Sequence, residues 1–153
     1  MPTSDVPRNR LLAVLSLSVV PWTGLLTGGY VTLVMPWGLH DPFGPHITLL
    51  PDYLAATGSG PPPFLFAWPL GVGIYGLTLV SALGETFDRG DPRVTGGLLV
   101  LVGVTQLTVA WGFLRRGEYA LVAPLGTLAA WTLAWWFYWP DLRSIARFER
   151  HRD

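Results

Sequence analysis

Residues 94–114, "VTGGLLVLVGVTQLTVAWGFL", contain no Asp, Glu, Lys, Arg or His. An α-helix rises about 1.5 Å per residue, so about 20 apolar residues are enough to cross the roughly 30 Å hydrocarbon layer of a bilayer. Three further uncharged, apolar runs lie at 11–37, 64–84 and 119–139. The sequence therefore predicts an all-α integral membrane protein with four transmembrane helices.

The composition indicates the same class. Half of the 153 residues are apolar and 13% are charged, whereas about a quarter of the residues in an ordinary soluble domain are charged. The formal net charge is zero, so there is no overall attraction to nucleic acid. The chain has no cysteine, which excludes disulfides, thiol catalysis and thiolate metal sites.

Short connections join the last three predicted helices. Residues 85–93 and 115–118 leave room only for tight turns, so these helices should be antiparallel neighbours in an up-down bundle. In the predicted topology, all arginines except Arg115 and Arg116 lie on the same side of the membrane as the N-terminus. An excess of arginine is typical of the cytoplasmic side. We expect a single membrane domain, 1–153, in the plasma membrane with both termini cytoplasmic.

The connection at 38–63 is long, rich in proline and glycine, and still partly apolar. We expect a structured outer loop with a short interfacial helix that begins near Pro51 and Asp52, since these residue types favour the first turn of a helix. The same loop contains His40, Asp41 and His46, which are ligand types that zinc and copper use. Their spacing matches no specific metal motif, so a metal site here is a weak prediction.

The polar side chains within the predicted spans are all neutral. The lack of ionisable groups there disfavours proton carriers, pumps and histidine-ligated haem proteins. Gln106 lies near the middle of its span, where an unpaired amide is costly, so we expect it to hydrogen-bond a neighbouring helix. Thr105 and Thr108 flank it. These three residues would also line the path of a carrier for a neutral or lipophilic solute.

Small residues recur at four-residue spacing: Gly24 with Gly28, and Gly126 with Ala130 and Ala134. Small side chains let helix backbones approach closely, so these positions predict packing ridges.

Aromatic residues crowd the end of the last span in "WTLAWWFYWP" (131–140). Trp131, Trp135 and Trp139 are spaced by four and form a stripe with Tyr138, which we expect to face lipid. Most of this cluster lies where an aromatic belt anchors a helix at the membrane surface. Trp131 is about 12 Å deeper than Trp139, so it is a candidate contact for a lipid tail, a quinone-like ligand or another subunit.

The tail, 140–153, has the pattern of an amphipathic helix on the inner membrane surface. Arg143, Arg147 and Arg150 cluster on one side of it, where they would contact anionic lipid headgroups. A helix that docks on a partner protein would show the same pattern.

Five stretches resemble a family of small haloarchaeal integral membrane proteins of unknown function. They are "VPWTGLLTGG" (20–29), "LVMPWGL" (33–39), "FAWPLGVGIYGLTLVSAL" (66–83), "DPRVTGGLLVLVGVTQL" (91–107) and "WWFYWPDLRS" (135–144). The resemblance implies a multi-helix membrane fold and carries no activity, cofactor or site residues.

Three functional hypotheses follow from these patterns. The first is a non-enzymatic accessory or assembly subunit, or a homo-oligomer, that acts through helix packing and lipid contact. The alternative is a minimal carrier or channel lined by Gln106 and its neighbours. The weakest is a metal-dependent enzyme at the outer face. We expect membrane lipids and a second copy or a larger complex as partners, no nucleic acid and no cofactor.

Overall fold

The structure, a computed structural model that describes residues 5–149, combines helices with a five-stranded sheet. The predicted all-α bundle of four spans is therefore wrong. In chain order the elements are α1 (Asp5–Ser16), β1 (Thr23–Thr27), β2 (Tyr30–Met35), β3 (Gly38–His40), β4 (Ile47–Leu49), α2 (Leu50–Ala56), α3 (Ala67–Thr86), α4 (Pro92–Arg115), β5 (Leu121–Ala123), α5 (Leu125–Leu133) and α6 (Trp139–Glu149). A 3₁₀ turn, Pro63–Phe66, precedes α3, and a π-helical turn, Ala134–Tyr138, joins α5 to α6.

The first predicted span, 11–37, is not a single helix. Helix α1 ends at Ser16, and two side chains donate to carbonyls at or just after its end. The Tyr75 hydroxyl donates to the Val14 carbonyl at 2.8 Å, and the Trp22 indole donates to the Leu17 carbonyl at 2.9 Å. The chain then enters the sheet instead of continuing as a helix.

The β1–β2 hairpin explains why this apolar segment folds as strands. Gly28 and Gly29 form its two-residue turn, and both have positive φ values, 55° and 90°. Two consecutive residues of this conformation match the right-handed twist of the flanking strands, and glycine adopts it without strain. Gly24 lies in β1 and Gly28 in this turn, so the predicted helical ridge at this pair is wrong.

The strands are ordered β4-β3-β2-β1-β5, and all neighbours are antiparallel. Leu25 pairs with Thr32, and Val34 pairs with Leu39. The predicted outer loop is therefore structured, and it contains strands β3 and β4 in addition to a helix. Its predicted short helix is confirmed as α2, which begins one residue before Pro51.

The second and third predicted helices are confirmed. Together with its 3₁₀ turn, α3 covers Pro63–Thr86, and α4 covers Pro92–Arg115. These two helices of the described chain are long and apolar enough to cross a membrane by length and composition. The Asp91 carboxylate caps α4 by accepting from the Arg93 amide at 2.9 Å.

The fourth predicted span, 119–139, is not confirmed, because β5 occupies its start and the helical structure from Leu125 to Glu149 is interrupted by the π-helical turn. Its predicted packing ridge is confirmed, since Gly126, Ala130 and Ala134 are buried. Tyr138 does not belong to the exposed stripe, because it is fully buried. The π-helical turn inserts one extra residue and so rotates Tyr138 away from the tryptophans.

Candidate functional site

The predicted polar contact at Gln106 is a tight helix junction. Gln106 is fully buried, and a Cβ atom on Gly71 of α3 would overlap its amide nitrogen and lie 2.5 Å from the Thr105 hydroxyl. The Gln106 amide reaches only Thr105 on its own helix, at 3.5 Å, and its oxygen has no partner among the described residues. The predicted hydrogen bond to a neighbouring helix is therefore wrong. Thr108 is exposed and donates to the Val104 carbonyl, so nothing at these residues resembles a polar path.

The predicted metal ligands occupy the β3–β4 hairpin. The Asp41 carboxylate accepts from the Phe43 amide at 2.9 Å, which uses it to close the turn. Over residues 5–149 no group of three or more His, Asp or Glu side chains is placed to hold a metal ion. His40, Asp41 and His46 are thus not gathered into a metal centre there.

A buried charged cluster joins four helices at the end of the molecule opposite the sheet. Arg10 of α1 donates to the Asp141 carboxylate at 2.9 Å and to the Phe137 carbonyl at 2.7 Å. It also lies 3.4 Å from a Glu85 carboxylate oxygen. Its guanidinium carbon lies 4.7 Å from the centre of the Tyr138 ring. We call Arg10, Glu85, Asp141 and Tyr138 the arginine cluster.

Glu85 is the most buried charge in this cluster, with 5% of its side chain exposed. One of its oxygens accepts a short hydrogen bond from Thr95 of α4, and Thr95 shares a further hydrogen bond with Ser81 at 2.7 Å. The cluster therefore connects α1, α3, α4 and α6. A buried carboxylate is stable only where a cation and donors of this kind surround it.

A groove lies on the outer surface between α4 and the last helical segment. Its wall begins at Trp131, whose indole donates to the Val100 carbonyl at 3.1 Å. Gly103 makes room for this indole, because a Cβ atom there would overlap it. Further along, the Trp135 and Trp139 rings stack with centres 4.6 Å apart. We call this the tryptophan groove; its volume is about 180 Å³ and its lining is Val100, Trp131, Ala134, Trp135, Trp139 and Leu142.

Two of the three predicted headgroup contacts lie at the end of this groove. Arg143 has its guanidinium carbon 5.9 Å from the Trp139 ring centre, and both Arg143 and Arg147 are exposed. Arg150 lies outside the described residues. The predicted exposure of the tryptophan stripe is confirmed for Trp131, Trp135 and Trp139, of which Trp135 is the most exposed at 61%.

A second apolar space lies under the sheet. It has a volume of about 240 Å³ and is lined by Leu25, Thr32, Val34, Leu39, Tyr53, Leu65, Trp68, Phe113 and Tyr119. The Trp68 indole ties α3 to this sheet by donating to the Met35 carbonyl at 3.0 Å. Burial raises the pKa of the Tyr119 phenol, and the nearby Glu118 charge adds to that rise. The cavity is an apolar space between sheet and helices, with Tyr119 in its lining.

Residues 2–148 match a family described as a domain of unknown function, DUF8050. The chain belongs to this family. No curated protein matches the sequence. The match covers the sheet, the long helices, the arginine cluster and the tryptophan groove, so all of these are parts of one DUF8050 domain.

Sequence reasoning missed the arginine cluster of this DUF8050 domain. Arg10, Glu85 and Asp141 each lie one or two residues outside a predicted span, so they count as flanking charges when only the apolar runs are searched. The predicted topology places all three at the same membrane surface, where ions of opposite charge can meet. The position of these three charges at one membrane surface was the feature of the sequence that could have indicated the cluster.

Proposed function

We propose that this DUF8050 chain is a non-enzymatic membrane subunit, embedded through its long helices, that acts in a homo-oligomer or a larger membrane complex. The exposed apolar surface of α3 and α4 supports this proposal most strongly. Only 28% and 44% of the most apolar stretches of these helices are buried within the protein. The core helix of a soluble domain is buried over most of its surface instead.

The exposed positions are large and apolar. On α3, Leu70 and Leu77 are each 59% exposed and Val80 is 68% exposed, and on α4 Trp111 is 55% exposed. Soluble monomers rarely leave a continuous apolar surface of this kind in water, and such a surface marks contact with lipid or with another protein. Contact with lipid explains why both α3 and α4 carry such an exposed apolar surface.

The fold is compatible with a defined orientation. The arginine cluster lies where α3 ends and the sheet lies where α3 begins, so α3 and α4 would cross between them. The helical segment that begins at Leu125 packs against α4 and reaches the arginine cluster at Asp141. The sheet has open edges at β4 and β5 and would lie outside the hydrocarbon layer, where water satisfies its free backbone groups. Arginine placement favours a cytoplasmic arginine cluster and an external sheet.

The absence of cysteine allows a direct test by single-cysteine labelling. Ser59→Cys lies in the loop before α3 and Arg89→Cys in the turn before α4, and both positions are exposed. A membrane-impermeant maleimide should label Ser59→Cys on intact cells, whereas Arg89→Cys should react only after permeabilisation. Ala82→Cys, at a fully buried position, is the control that should stay unlabelled. Recovery of the chain in the soluble fraction, or equal labelling of both exposed cysteines on intact cells, would contradict the proposal.

Helix α3 offers the face for a partner subunit. Gly73 and Gly76 are exposed, and a Cβ atom at either would meet nothing within 4 Å. Exposed glycines beside Leu77 and Val80 let a second helix approach closely, as helices do in membranes. A homo-oligomer would place the same face of two copies together.

Oxidative crosslinking tests this interface. Gly76→Cys should form a disulfide-linked dimer in membranes because the two copies would bring their α3 faces together. Gly97→Cys on α4 is the matched control, since its Cβ would also meet nothing within 4 Å, and it should remain monomeric. A band of different mass with Gly76→Cys would indicate an accessory role beside another protein. A monomer for both variants, with no copurifying protein, would contradict the subunit proposal.

A further inference from the structure

The tryptophan groove has the dimensions and chemistry of a site for a hydrocarbon chain. Every side chain in its lining is apolar or aromatic, and the indole nitrogen of Trp131 is already used by the Val100 carbonyl. Gly103 and Gly96 of α4 let the groove-lining side chains lie close to this helix, because a Cβ atom on the first would overlap Trp131 and one on the second would lie 3.2 Å from Leu142 Cγ. An acyl chain could therefore lie against α4 without displacing a polar contact.

A second space, lined by basic side chains, lies next to the tryptophan groove at Trp139. It has a volume of about 260 Å³ and is lined by Trp139, Pro140, Arg143, Ser144 and Arg147. Trp139 lines both spaces, so the apolar groove and the cationic space lie next to each other on either side of this residue. Arg143 and Arg147 are one helical turn apart, so two guanidinium groups and the Ser144 hydroxyl surround one small volume.

These two arginines have their charge available for a ligand. Asp141, the acid nearest to them in sequence, is bound by Arg10 at 2.9 Å on the inner side of the helix. Among the salt bridges described between residues 5 and 147, none includes Arg143 or Arg147. Guanidinium pairs bind phosphate oxygens well, because each presents several donors in one plane.

The π-helical turn places Tyr138 and the exposed tryptophans on different sides of the last helical segment. By adding one residue to the turn, it directs Tyr138 towards Arg10 and leaves Trp135 and Trp139 stacked on the outer surface. An insertion of this kind costs helix stability and is frequent at functional sites. Here it builds the groove and the arginine cluster on opposite sides of one helix.

We propose that the tryptophan groove binds one anionic phospholipid, with an acyl chain along Trp131, Trp135 and Trp139 and the phosphate on Arg143 and Arg147. This inference rests on the proposed membrane location of the chain. The charge of the two arginines favours an anionic headgroup over a zwitterionic one. Two basic groups near a membrane surface give on the order of a tenfold or greater preference for an anionic lipid.

Brominated lipids provide the test, because bromine on an acyl chain quenches a tryptophan that it touches. The purified full chain is reconstituted in phosphatidylcholine vesicles that contain a small fraction of brominated phosphatidylglycerol, or the same fraction of brominated phosphatidylcholine. We expect the anionic quencher to be roughly tenfold more effective at low mole fraction. Arg143→Gln/Arg147→Gln should abolish this difference, and Arg115→Gln/Arg116→Gln, at the other end of α4, should keep it.

A second variant locates the quenching. Trp131→Phe/Trp135→Phe/Trp139→Phe retains both arginines but removes the three tryptophans of the groove, so most of the difference between the two lipids should disappear. If the difference persists in this variant, the lipid site lies elsewhere and the inference is wrong. Equal quenching by both lipids also overturns it and leaves the membrane location intact. Quenching by neither lipid overturns the membrane location and this inference together.

Discussion

Replacing Arg10 by methionine should lower the free energy of unfolding by about 3–5 kcal/mol, because it leaves a buried carboxylate without its cation. Glu85 has 5% of its side chain exposed, and Arg10 is its only salt-bridge partner among the described residues. Methionine keeps much of the arginine's length and apolar stem, so the loss measures charge more than volume. Denaturant titration of the purified protein in detergent micelles gives the free energy.

Arg8→Met is the matched control for this experiment. Arg8 lies on the same helix and pairs with Asp5 at 2.9 Å, but 68% of its side chain is exposed. Exposed pairs of this type contribute about 0–1 kcal/mol, so this variant should unfold close to the parent. Equal effects of Arg8→Met and Arg10→Met would show that the arginine cluster does not stabilise the fold.

A double variant separates the ion pair from simple packing. Arg10→Met/Glu85→Met removes the buried cation and one buried anion together, so it should be more stable than Arg10→Met alone. Asp141 remains charged in this variant, but 31% of its side chain is exposed and water can solvate it. If the double variant is less stable than Arg10→Met and also less stable than Glu85→Met, the cluster acts through shape and not through charge.

The two longest helices could be predicted from the sequence, whereas the sheet could not be predicted from hydropathy alone. The runs 64–84 and 94–114 form helices, and the Gly96-Gly97 pair in the second lies in the first turns of α4, just after its Asp91 N-cap. The run 11–37 is equally apolar, but it contains Gly28-Gly29 between stretches rich in β-branched residues, which is a hairpin pattern. Counting apolar residues over a window cannot distinguish the two outcomes.

The candidate sites could also be predicted only in part from the sequence. The small-residue ridge at Gly126, Ala130 and Ala134 followed from regular helical spacing, and the exposed tryptophans followed from the opposite face. Tyr138 was misplaced because a π-helical turn changes the period by one residue, and no residue type in 134–138 requires that turn. The arginine cluster depends on three charges from distant parts of the chain. The predicted topology places them at one membrane surface, but the tertiary fold specifies their contacts.

The second large effect is expected at Trp22, which joins both halves of the molecule. Its side chain is fully buried, its ring meets the Tyr75 ring edge-on at 5.6 Å, and its indole nitrogen caps the end of α1 through the Leu17 carbonyl. Its backbone carbonyl accepts from the Gly126 amide at 2.7 Å, and a Cβ atom on Gly126 would lie 2.8 Å from its Cα. Helices α1, α3 and α5 thus meet the sheet at one residue.

Trp22→Ala should lower the free energy of unfolding by about 3–5 kcal/mol, because the neighbouring backbone at Gly126 cannot collapse into the cavity that the indole leaves. Trp22→Phe keeps most of the ring contact and loses the hydrogen bond to Leu17, so it should cost roughly 1–3 kcal/mol. Trp136→Ala is the matched control, because Trp136 is 76% exposed. The same micelle titration ranks the three variants. If Trp136→Ala destabilises the protein as much as Trp22→Ala, the α1–β1 junction is not a packing centre, and the sheet docks on the helices through the Trp68 contact instead.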